Sequence, residues 1–167
     1  MSDNIADTRI ITLISSDKQE VSILRRAIRR AGTIEQMIQH LNLDENEGPW
    51  ETIPLPNVDE KILKLIVEYC THEVDAPIFQ EYEDSENLVV SDWVETFLTM
   101  DGSDLYQLML AANYLHMPCL LRSISRTVAG MIRQKSTEEI RRIFNIKNDF
   151  KPEEEAAVKK DNAWCEM

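Results

Sequence analysis

The chain has 167 residues and a formal net charge of -12. It is 43% hydrophobic and 29% charged, the balance of a globular protein with enough apolar material for one domain and an appendage. So acidic a surface repels phosphate backbones and anionic headgroups, which sets nucleic acid and membranes aside as partners and favours basic proteins.

The first elements are strands. "RIITLISSDKQEVSIL" reads as two short strands around the turn residues "SSDK". Ile10, Ile11, Leu13 and Ile14 put apolar residues on both faces of the first strand, as in a strand covered on both sides. "RRAIRRAG" follows, with Arg25, Arg26, Arg29 and Arg30. It reads as a solvated basic face, with a partner-facing patch as the alternative. "TIEQMIQHL" places Ile34, Met37, Ile38 and Leu41 at helical spacing, and Thr33 with Gln36 suggests a capping box.

"NLDENEGPW" is a loop and "WETIPL" a short strand. "PNVDEKILKLIVEYC" opens with Asn57 as expected N-cap and Glu60 three residues on. Its Ile62, Leu65, Ile66 and Tyr69 form one apolar stripe. Residues 71–92 lose all periodicity and read as a long, acidic, mobile loop. "WVETFL" is a short helix, and Asp101–Gly102 a stop. "SDLYQLMLAANYLHM" is a helix with Leu105, Leu108, Met109, Ala112 and Leu115 on one side. Pro118 suits the first turn of the next helix, along which Leu121, Ile124, Val128, Met131 and Ile132 are in phase.

The end of the chain has a different character. "STEEIRRIF" carries a capping box, Ser136 with Glu139, ahead of Ile140, Ile143 and Phe144. "NIKNDF" is a linker holding Ile146 and Phe150. "PEEEAAVKKDNAWC" starts at Pro152 with acids first and lysines last, matching a helix dipole. Ala157 and Trp164, seven apart, fall on one face of that expected helix, as do Val158 and Cys165.

Nothing in this pattern points to catalysis. His40, His72 and His116 share no metal-ligand spacing with one another or with Cys70, Cys119 and Cys165, so no metal or cofactor is expected. Four scattered glycines build no phosphate cradle, and there is no GxSxG. The sparse cysteines, without a CxxC pair, fit reduced thiols inside a cell. Cys165 reads as a buried small hydrophobe. No apolar run approaches the roughly 20 residues of a membrane span, and "MSDNIADTR" does not read as a signal peptide. The expected location is the cytoplasm and nucleus. What remains is binding. Ile140, Phe144, Ile146, Phe150 and Trp164 are more apolar surface than two short helices can bury against each other, which favours a partner's groove or helix.

The strings "LAANYL", "TVAGMI", "STEEIRRIFNIKNDF", "PEEEAAV" and "NAWCE", with "SSD", "PLPNV" and "EYCTH" before them, closely resemble the S-phase-kinase-associated (Skp) adaptor family of SCF ubiquitin ligases. The likeness runs over nearly the whole chain and is loosest at 24–32 and 71–92. It implies an α/β fold: a BTB/POZ-type domain over 8–133, with the mobile loop 71–92, followed by two C-terminal helices in 134–167. It implies a non-enzymatic bridge in ubiquitin-dependent degradation. One face holds a cullin, with its RING subunit reached indirectly, and the other clamps the F-box of a substrate receptor. Carried over by residue, the cullin contacts fall on Asn113 and Tyr114. The other reading of that pair is a helix end capped by Asn113 with Tyr114 packed inside. The F-box surface falls on Val128, Ile132, Ile140, Phe144, Ile146, Phe150 and Trp164, some of which could also support the fold. Lys151 stands where relatives often cap the last helix with threonine, so that helix is expected to fray more when unbound. The alternative to the adaptor is a self-assembling BTB-type protein, with homodimers forming through a free C-terminal groove.

Overall fold

A computed structural model describes residues 9–40, 42, 52–75, 91–133 and 135–166, the side chains of 165 and 166 excepted. The chain divides into two compact units, Met1–Arg133 and Gln134–Met167.

The first unit is built on a sheet of order β2-β1-β3, comprising β1 (Ile10–Ile14), β2 (Glu20–Leu24) and β3 (Ile53–Pro54). β1 pairs antiparallel with β2, Ile11 opposite Ile23, and parallel with β3, Leu13 opposite Ile53. Residues 15–18 close the hairpin: Lys18 N–H donates to Ser15 O at 3.0 Å, with Lys18 at φ 62. The "SSDK" reading therefore holds. Ile11, Leu13 and Ile23 are buried, whereas Ile10 is 64% exposed. Among the described residues the opposite face is only partly covered, with Thr12, Ile14 and Leu24 half-buried, so the two-sided reading holds only in part: apolar residues on a strand need a packed neighbour as well as a pattern. The strand expected in "WETIPL" is cut to Ile53–Pro54, Trp50 and Glu51 lying outside the described residues. Pro54 sits on an edge, where its missing N–H breaks no central ladder.

Helices pack on the covered face. They are α1 (Arg25–Ile28), α2 (Gly32–His40), α3 (Glu60–His72), α4 (Asp92–Phe97), α5 (Gly102–Tyr114) and α6 (Pro118–Ile132). Ile28, Ile34, Ile38, Leu63, Ile66, Leu105, Leu108, Leu115 and Ile124 are all fully buried in one cluster with Ile11 and Leu13. At about 25 cal/mol per Å² of apolar surface, each such side chain contributes on the order of 2 kcal/mol to folding. α4 docks through aromatic stacking: Trp93 lies 3.8 Å from the His72 ring and 4.9 Å from the Phe97 ring, centroid to centroid. Burial pushes the Cys70 thiol up to about 12, keeping it protonated and unreactive in the core.

Several helix boundaries differ from the local signals. The cap of α3 is Asp59, whose Oδ1 accepts from Ile62 N–H at 2.8 Å, not Asn57. α3 runs on to His72 and α4 begins at Asp92, which narrows the expected 71–92 loop from both ends; residues 76–90 lie outside the described residues. Gly102 opens α5 rather than stopping the chain, because Asp101 accepts from Ser103 and Asp104 N–H at 2.8 and 2.9 Å. An aspartate before a glycine is as good an N-cap as a turn. Pro118 takes the first-turn position expected of it. Ile34 and Ile38 are buried and Met37 half-buried, as their spacing required, while Leu41 lies outside the described residues.

The basic run is the largest correction. Arg26 and Arg29 are exposed, but Arg25 is 2% exposed and Arg30 is also buried. Arg25 donates from Nη1 and Nη2 to the two oxygens of Glu35 at 2.6 and 2.8 Å. This fork-to-fork pair joins the start of α1 to α2 and neutralises a charge that could not otherwise be buried. Glu35→Ala should therefore lower unfolding stability by on the order of 2–3 kcal/mol, since it removes both carboxylate bonds of a buried guanidinium. Asp104→Ala, which breaks the solvent-exposed pair with Lys61, should leave the denaturation midpoint nearly unmoved. Equal midpoints for the two variants in urea would refute a stabilising role for the Arg25–Glu35 pair.

The second unit holds α7 (Thr137–Ile143), α8 (Pro152–Asp161) and a 3-10 turn at Ala163–Glu166. Neither α7 nor α8 contributes a fully buried residue. Their ends are set locally. Ser136 Oγ accepts from Glu139 N–H at 3.2 Å, and Glu139 Oε2 from Ser136 N–H at 2.8 Å, the capping box expected.

Candidate protein-binding surfaces

The first surface lies on α5. A helix leaves its last four carbonyls without partners, and this one closes with a Schellman turn. Met117 N–H donates to Ala112 O at 2.9 Å and His116 N–H to Asn113 O at 3.1 Å. His116 takes the left-handed position, φ 53. Asn113 thus lies within the last turn, with Leu115 as C-cap, so the reading of Asn113 as the capping residue fails. The Asn113 side chain is exposed and Tyr114 is half-buried against the core. Tyr106 and Leu110, 52% and 47% exposed, precede Asn113 at helical spacing. Together the three make one solvent-facing stripe along α5, an aromatic and an aliphatic side chain ending in an amide. Tyr106 and Leu110 are site candidates missed in the sequence. The signal was their i, i+4, i+7 relation to Asn113, masked by the stronger buried stripe on the other side of the helix.

The second set is divided between the units. Val128 is half-buried and Ile132 exposed on α6 of the first unit. In the second, Ile140 and Phe144 are half-buried, and Ile146, Phe150 and Trp164 are exposed by 54%, 48% and 69%. α7 also ends in a Schellman turn: Ile146 N–H donates to Arg141 O at 2.7 Å and Asn145 N–H to Arg142 O at 3.4 Å, with Asn145 at φ 52. That turn sets the direction in which Ile146 leaves the helix. Arg141 spans the unit, its guanidinium 5.8 Å from the Phe150 ring centroid and 4.0 Å from Glu155.

Trp164 does not lie on α8. That helix stops at Asp161, where Asn162 becomes the C-cap and its Nδ2 donates to Val158 O at 2.9 Å. The seven-residue spacing to Ala157 therefore carries no shared face. Trp164 sits in the tighter turn that follows, and the Cys165 side chain lies outside the described residues. The Lys151 side chain makes no cap bond, but its N–H donates to Glu154 Oε2 at 2.9 Å, so half of a capping box survives. Val158, 45% exposed, adds an apolar side chain that the sequence reading did not place in the site.

Among the described residues no group of three His, Cys, Asp or Glu side chains is placed to hold a metal ion, and no helix is long and apolar enough to cross a membrane. A small POZ-type sheet with helices on one face, continued by helices whose large apolar residues remain accessible, defines a protein-binding module. Residues 9–75 match the Skp1 family, tetramerisation domain, and residues 118–165 match the Skp1 family, dimerisation domain. A Skp1-related protein of Caenorhabditis elegans is 45% identical over 96% of this chain and 94% of its own length. An E3 ubiquitin ligase complex SCF subunit sconC of Talaromyces stipitatus is 39% identical, with 93% of this chain and 96% of the relative covered. The sconC subunit of Arthroderma benhamiae is 40% identical over 95% and 96%. The chain belongs to the Skp1 family, the SCF adaptors that link F-box proteins to a cullin.

The capping box of α7 contains a carboxylate whose titration reports on the box. The Ser136 N–H donated to Glu139, with Lys135 beside it, holds the Glu139 carboxyl below its ordinary 4.5. A carboxylate with a depressed folded value stabilises the fold above its unfolded value, and that support is lost as pH falls through the folded one. The Ser136 amide resonance should therefore shift as pH is lowered from about 6 to about 3, the window in which free carboxyls protonate. In Glu139→Gln the shift should shrink to the part due to Glu138, whose carboxyl Ser136 also helps hold below its ordinary value. A flat Ser136 titration in the unaltered chain would show that the box does not form in solution.

Proposed function

We propose that this chain bridges an F-box substrate receptor and a cullin without chemistry of its own. The end of α5, with Asn113 and Tyr114 at its centre and Tyr106 and Leu110 beside them, takes the cullin. Val128, Ile132, Ile140, Phe144, Ile146, Phe150 and Trp164 take the F-box. The observation that carries this reading is the accessibility of Ile146, Phe150 and Trp164 in a unit whose two helices bury no residue completely. Large apolar side chains at such positions gain most from a partner that removes them from water. The net charge of -12 keeps the module away from nucleic acid and anionic membranes. Its workplace is the cytoplasm and nucleus.

The same exposed residues support self-pairing of the free chain, in competition with the F-box. The match of 118–165 to a domain described as a dimerisation domain favours this second state.

The two-face arrangement is tested by binding. Trp164→Ala should weaken F-box binding by roughly 2–4 kcal/mol, the size of an interface hot spot, and leave cullin binding intact. Asn113→Ala with Tyr114→Ala should do the reverse. Calorimetry with an F-box fragment and a cullin N-terminal fragment distinguishes them; equal loss of both partners in both variants would end the two-face reading.

A further inference from the structure

We propose that Gly32 and Thr33, at the start of α2, are positioning residues for the end of α5 and thereby set the cullin-facing geometry of Asn113 and Tyr114. This inference rests on the assignment of those two residues to the cullin face.

The argument begins with unpaired backbone groups. After the Schellman turn has used Ala112 O and Asn113 O, three carbonyls at the end of α5 still need donors. Each finds one on α2. Thr33 Oγ1 donates to Tyr114 O at 2.9 Å, Thr33 N–H to Leu115 O at 3.1 Å and Gly32 N–H to His116 O at 3.2 Å. The two backbone donors are themselves orphans of a helix start. Ala31 precedes α2 and its carbonyl accepts from Glu35 N–H at 2.9 Å, but its side chain has no oxygen with which to cap. Two incomplete helix ends thus complete each other, and the positive end of one dipole meets the negative end of the other.

The approach leaves little room for a side chain at Gly32. A Cβ on Gly32 would lie 2.8 Å from His116 Cδ2 and 3.1 Å from His116 O. The grip is also anchored from behind. Ile34 and Ile38 of α2 are fully buried, and Glu35 is held by Arg25. The hydroxyl of Thr33 bonds the carbonyl of Tyr114 itself, so this side chain fixes the peptide from which the proposed contact residue projects. The pairing of Thr33 with Gln36 suggested by the sequence is replaced by this bond, formed with a residue 81 positions away.

Thr33→Val tests the proposal because it keeps shape and the backbone N–H while removing one donor. Affinity for a cullin N-terminal fragment should fall about five- to tenfold, the effect of one such hydrogen bond. F-box affinity should stay within about twofold, and Thr33→Ser should restore cullin binding. Gly32→Ala, which crowds His116, should give the same selective loss, and both variants should shift the Tyr114 amide resonance. Unchanged cullin binding in Thr33→Val, beside a clear loss in Asn113→Ala with Tyr114→Ala, would overturn the positioning role alone. Unchanged cullin binding in the double variant as well would overturn the cullin face and the positioning role together. Equal loss of cullin and F-box binding in Thr33→Val would mean general destabilisation and would also overturn it.

Discussion

The first unit turns on one buried ion pair. Arg25 has to be neutralised where it stands, and the partner it finds, Glu35, belongs to a different helix. The pair locks α2 to the start of α1, and its bidentate geometry restricts rotation as well as distance. Once α2 is fixed, its first turn presents donors at one place only, and the last turn of α5 must come to meet them. The Arg25–Glu35 pair is thereby connected, through α2, to the end of α5, where the Asn113 side chain is exposed and Tyr114 is half-buried.

The second unit follows another logic. Its helices start and stop where their own residues dictate: Ser136 and Glu139 at one end of α7, Asn145 at the other, Pro152 and Glu154 at the start of α8. Acidic residues fill the first turns and basic residues the last, so each dipole is compensated internally. Little of its stability comes from fully buried side chains of its own. Such an element can keep its outline while its apolar residues remain accessible.

This contrast explains what the sequence disclosed. The Ser136 capping box, the Pro118 start and the buried stripe of Ile34 and Ile38 depend on neighbours within a few residues, and they were legible. So was the family, because its motifs recur in order over most of the chain. Arg25 was misread because a run of four arginines looks solvated until the partner from α2 is seen. Thr33 looked like a local cap because its true acceptor is far along the chain. Trp164 was placed on α8 because a seven-residue spacing is helical only while the helix lasts, and Asn162 ends it. Among the proposed binding residues, type and approximate place came from resemblance. Accessibility, which separates Ile146 and Phe150 from half-buried Ile140 and Phe144, depends on three-dimensional packing that no spacing rule supplies.

His116 and Asn145 share one further property. Both side chains face solvent, and both residues hold a left-handed backbone that turns the chain from one helix toward the next segment. Histidine and asparagine tolerate that region better than most residues, whereas a β-branched residue resists it strongly. Mutational tolerance at these two positions is therefore governed by torsion angles, not by burial. A natural variant carrying valine or isoleucine at either would look harmless on any map of surface exposure, yet it would disturb the corner at the end of a helix.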